Sequence, residues 1–101
     1  MGQLVVIKIP VRVRIWKSKQ NYIAIIRDKP TIDALTPYIN KKVTLEMAGM
    51  AINARLVKLV QKGTYYVGVF LPRKLTPTWE RLREKDEELN AIITITEGGE
   101  P

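Results

Sequence analysis

The chain repeats one order of predicted elements, and this duplication limits its possible folds more than any single motif does. Residues 7–47 contain an alternating strand, a polar turn, a tyrosine-led strand, a short segment bounded by Thr and Pro, and a final strand. Residues 50–97 contain the same elements in the same order. Such self-similarity indicates one structural unit used twice, although few residues are identical and chance is the alternative. The sequence predicts a single domain over residues 1–97, followed by a flexible tail at residues 98–101.

The first unit opens with a strand that alternates apolar and polar side chains. The odd positions from Ile7 to Ile15 are all apolar. Period two predicts one buried and one solvated face. The even positions between them are Lys8, Pro10, Arg12 and Arg14. Because proline cannot donate to a β-ladder, Pro10 predicts a bend or a sheet edge.

The strand after the first turn, residues 22–26, is apolar throughout and is predicted to be buried on both faces. Each unit then has a short helix. Thr31 is the predicted N-cap of the first helix and Thr76 of the second, which has Pro77 in its first turn. The first helix is too short to be stable alone, so it requires tertiary contacts.

The two units align at slightly different displacements. Arg12 aligns with Arg55 at a displacement of 43 residues, and Arg14 with Lys58 at 44. The third strands align at 50 residues, Thr44 with Thr94. The second unit therefore carries about six extra residues, which we place in its helix.

Two residue types that serve many enzymes are missing. The chain has no cysteine and no histidine. Disulfides, thiolate nucleophiles, the usual zinc sites and histidine proton shuttles are thereby excluded. The sequence also has no phosphate-cradling Gly-rich loop. We expect no catalytic residues, no cofactor and no metal.

The formal net charge of +7 is unevenly distributed. Residues 1–50 carry nine basic and three acidic side chains, a net +6, whereas residues 51–101 carry eight and seven, a net +1. A basic surplus on one side attracts polyanions. The alternative is a surplus that only maintains solubility, in a composition rich in Lys, Arg, Glu and Ile as in thermophile proteins.

The duplicated ββαβ unit resembles the double-psi β-barrel and the swapped-hairpin, or cradle-loop, domain of AbrB-type DNA-binding regulators. Residues 71–75 resemble the family's apolar-Pro-x-x-Leu entry to the helix, and residues 84–95 its exit into the last strand. The family's Gly-Arg before the second strand is absent from both units. The resemblance implies a mainly β fold, a six-stranded barrel with two short helices. The Asp-Thr-Gly triplet and Gly-Ser cleavage site of enzymes on similar barrels are absent.

The basic residues of the N-terminal hairpin are the main functional candidates. Side chains two positions apart on a strand are about 7 Å apart, which is close to the phosphate repeat of one nucleic-acid strand. A tryptophan among them can stack on a base. We therefore predict nucleic-acid binding, with DNA as the first choice, mainly through backbone contacts. The alternative is an ordinary solvated strand face. The candidates are Lys8, Arg12, Arg14, Trp16, Lys17 and Lys19, with Arg55 and Lys58 on the equivalent face of the second unit.

Two further groups of side chains favour structural roles. The acidic residues 84–88 lie among basic neighbours at a predicted helix end, as in a solvated charge run. Tyr22, Tyr65, Tyr66 and Trp79 stand where a small barrel needs packing residues.

A rival function is protein–protein interaction, in an adaptor barrel similar to the N-domains of AAA unfoldases. An exposed apolar patch would favour it, and a contiguous basic patch would favour nucleic acid. The sequence has no apolar run of 18 residues and no secretion-signal pattern at its start, so we expect no membrane insertion and a cytoplasmic monomer or homodimer.

Overall fold

The computed structural model describes residues 4–85 and 88–98, which form one closed antiparallel barrel of six strands. The strands are β1 (Leu4–Ser18), β2 (Asn21–Ile26), β3 (Lys42–Met47), β4 (Met50–Gln61), β5 (Thr64–Phe70) and β6 (Leu89–Gly98). The helices are α1 (Lys29–Leu35) and α2 (Thr76–Glu84). The mainly β fold with two short helices is therefore confirmed.

The strand order around the barrel is β1-β2-β5-β4-β3-β6, and β6 pairs back with β1. The pairs β1–β2 and β4–β5 are the hairpins of the two units, closed at Ser18↔Asn21 and Gln61↔Thr64. Both ends of the second closing pair lie 43 residues after those of the first. The hairpins therefore match strand for strand and residue for residue.

This register corrects part of the sequence alignment. At a displacement of 43 the counterpart of Arg14 is Val57, and Lys58 matches Ile15. The predicted match of Arg14 with Lys58 is wrong by one residue, and a one-residue shift moves a side chain to the opposite face. For the third strands, Arg12 pairs with Asn90 and its counterpart Arg55 pairs with Lys42, which sets their displacement at 48 rather than 50.

Two strand pairs join counterpart residues directly. Leu45 pairs with Ile93, which lies 48 residues later, and Ile25 pairs with Gly68, which lies 43 residues later. A pseudo-two-fold axis therefore passes through these two pairs. The second unit holds five additional residues, and they fall between β5 and β6.

Alternate side chains of all six strands fill the barrel. The interior positions on β1 are Val11, Val13 and Ile15, as the odd-numbered pattern predicts. On β2 the interior positions are Tyr22, Ala24 and Ile26, while Ile23 and Ile25 are buried on the other face. Burying a large apolar side chain contributes about 1.5–3 kcal/mol, so these residues hold the barrel together.

The helices begin differently from the prediction. Asp28, not Thr31, caps α1, and its carboxylate accepts hydrogen bonds from the backbone N–H of Thr31 at 3.2 Å and from its hydroxyl at 2.5 Å. Thr76 is the first residue of α2, and its hydroxyl donates to the Arg73 carbonyl at 2.6 Å. A short 3₁₀ turn follows α1 at Thr36–Tyr38 and another precedes α2 at Arg73–Leu75.

Each helix packs against the hairpin of the other unit. Helix α1 contacts β5 and helix α2 contacts β1. Trp79 of α2 is fully buried, and its indole N–H donates to the Pro72 carbonyl at 2.7 Å. This exchange brings basic residues of α2 to the N-terminal hairpin.

The ends of the barrel domain are strands. Strand β6 continues to Gly98, which pairs with Leu4, so the first residue of the predicted tail belongs to the sheet. Residues 99–101 lie outside the described residues. In the part of the chain that is described, no helix is long and apolar enough to span a membrane.

Candidate nucleic-acid interface

The basic row of β1 is divided between two surfaces because the strand changes partner. Residues 4–13 pair with β6, and residues 14–18 pair with β2. Lys8 and Arg12 are exposed beside β6, whereas Arg14 and Trp16 are half-buried beside β2. Pro10 precedes this change and lies opposite Ile92 of β6. The predicted single row is therefore two groups.

The second group lines a groove of about 520 Å³, which we call the cationic groove. Strand β1 contributes Arg14, Trp16 and Lys17. The chain after β2 contributes Arg27, and the C-terminal part of α2 contributes Arg83. The lining residues are Arg14, Ile15, Trp16, Lys17, Arg27, Gln61 and Arg83. Among the described residues that line it, four are cationic and none is acidic, so the groove is suited to an anion.

Trp16 forms one wall of this groove in a fixed position. Its ring meets that of Tyr66 edge to face, with centroids 5.4 Å apart and an interplanar angle of 73°. Gly68 lies on the sheet between them, where an added Cβ would stand 2.8 Å from the Ala24 carbonyl oxygen and 3.2 Å from Ile25 Cδ1. The missing side chain lets the strands and Ile25 pack closely beneath the aromatic pair. Trp16 thus has a packing role in addition to its predicted stacking role.

Helix α2 links its own charge to the hairpin through Tyr22. The Tyr22 hydroxyl donates to Glu80 Oε1 at 2.6 Å. This hydrogen bond, followed by burial, raises the pKa of Tyr22 above its ordinary value. The Lys17 ammonium lies 5.6 Å from the centre of the Tyr22 ring. These contacts hold α2 close to β1 and so position Arg83 at the groove.

A larger groove of about 800 Å³ lies beside the first. Arg12 and Arg27 line it, but so do Asp28 and Glu88. Opposite charges in one groove reduce its attraction for a polyanion. Since Arg27 lines both grooves, it marks their common border.

The candidate residues outside the cationic groove have other surroundings. Lys19 occupies the hairpin turn with φ of 57° and lines a smaller groove with Glu80. Arg55 donates from its guanidinium to the Asn40 carbonyl at 2.6 Å. The Lys58 ammonium lies 4.6 Å from the centre of the Tyr65 ring.

The prediction that Arg55 and Lys58 share one face of the second unit is wrong. They are three positions apart on the continuous strand β4, and side chains alternate with period two. Their neighbours Ala54 and Leu56 pack into the barrel, so Arg55 is directed outward and Lys58 shares the parity of the interior positions. Neither residue lines the cationic groove.

The counterparts of the groove residues in the second unit are apolar. At a displacement of 43, Arg14 matches Val57, Trp16 matches Leu59 and Lys17 matches Val60. Arg27 matches Phe70. Val60 is 70% exposed and Phe70 is 43% exposed, so these positions also face solvent. The two hairpins share a backbone and differ in surface chemistry.

Sequence reasoning missed Arg27 and Arg83. Arg27 continues the outward positions Ile23 and Ile25 of β2, and this alternation was the available signal. Arg83 has no such signal, because only the packing of α2 against the other unit brings it to β1. Long-range placement of this kind is absent from local sequence patterns.

The residues assigned to structural roles are placed accordingly. Tyr22 and Trp79 are buried, and Tyr65 and Tyr66 are half-buried and packed on the core. Glu84 and Glu88 are exposed, and Asp86 and Glu87 lie outside the described residues. Within residues 4–85 and 88–98, no group of three or more metal-ligating side chains is found.

No family model, no curated protein and no solved structure matches this chain. Its function must therefore be argued from the barrel, the groove and the charge distribution.

Proposed function

We propose that the protein binds nucleic acid, with DNA as the first candidate, mainly through backbone contacts from the N-terminal hairpin. The observation that carries the proposal is the cationic groove, where Arg14, Lys17, Arg27 and Arg83 surround Trp16. Arginine and lysine bind phosphate oxygens, and an aromatic ring stacks on bases of any sequence. The groove has both features and shows no dedicated arrangement for reading base edges.

The charge distribution supports the same proposal. Three of the four cations of the groove belong to residues 1–50, the half that carries a net +6. The contribution of α2 adds a fourth from the other half. A concentrated positive field raises the rate and affinity of polyanion binding.

The fold assignment is part of the proposal. We assign the closed barrel to the double-psi or AbrB-type swapped-hairpin group. Support comes from the ββαβ order of both units, the pseudo-two-fold relation of the hairpins and the exchange of helices between units.

Salt-dependent titration tests the function. Four phosphate contacts predict that affinity falls about 50-fold for single strands and about 150-fold for duplex between roughly 50 and 200 mM salt. Fluorescence anisotropy with a labelled oligonucleotide measures this directly. Absence of any salt-dependent binding tighter than about 10⁻⁴ M would contradict the proposal.

The alternative function is protein–protein interaction, as in an adaptor barrel. Its support is the second unit, where Val60 and Phe70 are exposed at positions whose counterparts are Lys17 and Arg27. Apolar side chains exposed singly are common on soluble proteins, so this support is weaker than a contiguous patch. Capture of a protein partner that resists both nuclease and high salt, and that is lost in Val60→Lys/Phe70→Lys, would favour it.

A further inference from the structure

The difference between the hairpins bears on which form of nucleic acid fits the protein. The two strands of a duplex are related by two-fold symmetry, so a two-fold protein grips both of them only if both of its halves carry the contacts. Here Arg14 and Lys17 have the apolar counterparts Val57 and Val60. One phosphate track can be served by this surface, but not two equivalent tracks.

The shape of the binding surface points in the same direction. The cationic groove is concave, and its volume of about 520 Å³ lies in the range of pockets that enclose small ligands. Bases inside a duplex are stacked on one another and cannot reach a wall of a groove unless they leave the stack. The accessible part of Trp16 is therefore available to an unpaired base only.

The cations are arranged around that wall from three directions. Lys17 lies next to Trp16 on β1, Arg27 follows β2, and Arg83 comes from α2. All three are exposed, whereas Trp16 is half-buried and held by Tyr66. Flexible charged groups around a fixed aromatic ring match a nucleotide, whose phosphates are mobile in position and whose base is flat.

We propose that the cationic groove holds one unpaired nucleotide, with its phosphate near Arg27 and Arg83 and its base against Trp16. The protein then prefers single strands and strand ends to continuous duplex. This inference rests on the proposed function and narrows its ligand to unpaired nucleotides.

The test compares two doubly neutralised variants of equal charge. Arg27→Gln/Arg83→Gln removes two groove cations, and Lys42→Gln/Lys62→Gln removes two exposed cations that do not line the groove. Both variants lower the formal net charge from +7 to +5. Any difference between them therefore reports location and not total charge.

Binding is measured by fluorescence anisotropy with one mixed-sequence strand of DNA, the same strand of RNA and the corresponding blunt duplex. For the wild-type protein we expect at least about tenfold tighter binding of a single strand than of the duplex, since a stacked base adds roughly that factor. The RNA arm distinguishes the two sources of unpaired nucleotides. Arg27→Gln/Arg83→Gln should lose at least about tenfold in single-strand affinity, and its salt slope should fall in magnitude by about 1.4. The control variant should lose less than about threefold and keep the preference.

Tryptophan fluorescence supplies an independent readout. The chain has two tryptophans, and Trp79 is fully buried while Trp16 lines the groove. Single-stranded oligonucleotide should quench the wild-type emission, and Trp16→Phe should abolish this change while Trp79 still reports a folded protein.

The outcomes separate the inference from the proposed function. Duplex bound as tightly as single strands, or equal losses in the two double variants, would overturn the inference and leave nucleic-acid binding intact. Failure of the wild-type protein to bind either form at about 50 mM salt would overturn both.

Discussion

The two units of this barrel agree in their interiors and differ on their surfaces. The hairpins superimpose in register at a displacement of 43 residues, and the interior positions Val13 and Leu56 correspond. At solvent-facing positions a basic residue in the first unit, such as Lys17, corresponds to an apolar one in the second, Val60. A shift of one residue would turn every interior side chain outward, so register is strongly constrained inside. Surface positions carry no such constraint and can acquire separate functions.

The largest expected effect tests whether the interiors are equivalent. Leu45 and Ile93 are counterparts that pair on the pseudo-two-fold axis, and both are fully buried. Leu45→Ala and Ile93→Ala should each cost about 3 kcal/mol of unfolding free energy, because each leaves a cavity in the same layer. Urea denaturation followed by circular dichroism measures both.

The matched control is Val5→Ala, which removes a half-exposed apolar side chain at the start of β1 and should change stability by less than about 0.5 kcal/mol. If one of the two core variants costs less than about 1 kcal/mol, the interiors are not equivalent. Because the two side chains are neighbours, the double variant should deviate from the sum of the single effects.

The second prediction concerns a place where the interiors are complementary rather than alike. Gly68 faces its counterpart Ile25, and a methyl group at Gly68 would crowd both the Ala24 carbonyl and Ile25 Cδ1. Gly68→Ala should cost about 1–3 kcal/mol by overpacking. Ile25→Val removes the Cδ1 contact, so the double variant should be more stable than the sum of the two single effects implies. Thermal unfolding of the four proteins checks this, and strict additivity would argue against direct crowding.

A smaller effect distinguishes the two hairpin turns. Gly63 has φ of 79°, in the left-handed region that favours glycine, while its counterpart Gln20 is a residue with a side chain and is not among those with positive φ. Gly63→Ala should lower the unfolding free energy by about 1 kcal/mol. Gln20→Ala should be neutral within about 0.5 kcal/mol. Equal losses in chemical denaturation would mean that the two turns share one conformation.

The smallest expected effect is an alkaline pH dependence found in one unit only. The pKa of Tyr22 is raised by its hydrogen bond to Glu80, so the folded protein keeps this proton longer than the unfolded chain. Its contribution is fully present below the ordinary value of 10.0 and is lost as pH rises through the higher folded value. Tyr22→Phe should therefore flatten the decline of thermal stability above about pH 10.

Tyr65, the counterpart of Tyr22, makes ring contacts with Lys29 and Lys58. Tyr65→Phe should retain the alkaline decline. The comparison cancels the contribution of Lys29, whose pKa is raised by its hydrogen bond and ion pair with Asp33 and which acts in the same direction in both variants. An equally steep decline in wild type and Tyr22→Phe would contradict the assignment.

Much of the barrel could be predicted from the sequence because it depends on local patterns. Period-two alternation located β1, and the uniformly apolar run located β2. The helix starts were harder to predict, since Asp28 and Thr31 are both good caps and the choice depends on where β2 ends. The alignment of Arg14 with Lys58 followed residue similarity, whereas the register is set by strand pairing.

The candidate site was only partly predictable for the same physical reason. Arg14, Trp16 and Lys17 lie on one strand, so alternation and adjacency suffice to group them. Lys8 and Arg12 belong to the same row, but the change of partner from β6 to β2 separates them from the groove. Contacts between distant elements, such as α2 on β1, are set by tertiary packing and leave no local pattern.

The central claim is that nucleic acid binds to the first unit and leaves the second unit's counterpart surface unoccupied. Titration of the isotope-labelled protein with a single-stranded oligonucleotide, followed by amide and indole N–H resonances, tests it most directly. The account predicts shifts at Arg14, Trp16, Lys17, Arg27 and Arg83, and none at Val57, Leu59 or Val60. The Trp16 indole signal should move, and that of Trp79, which is buried and bonded to the Pro72 carbonyl, should not. Equal shifts on both hairpins, or shifts confined to the second, would contradict the account.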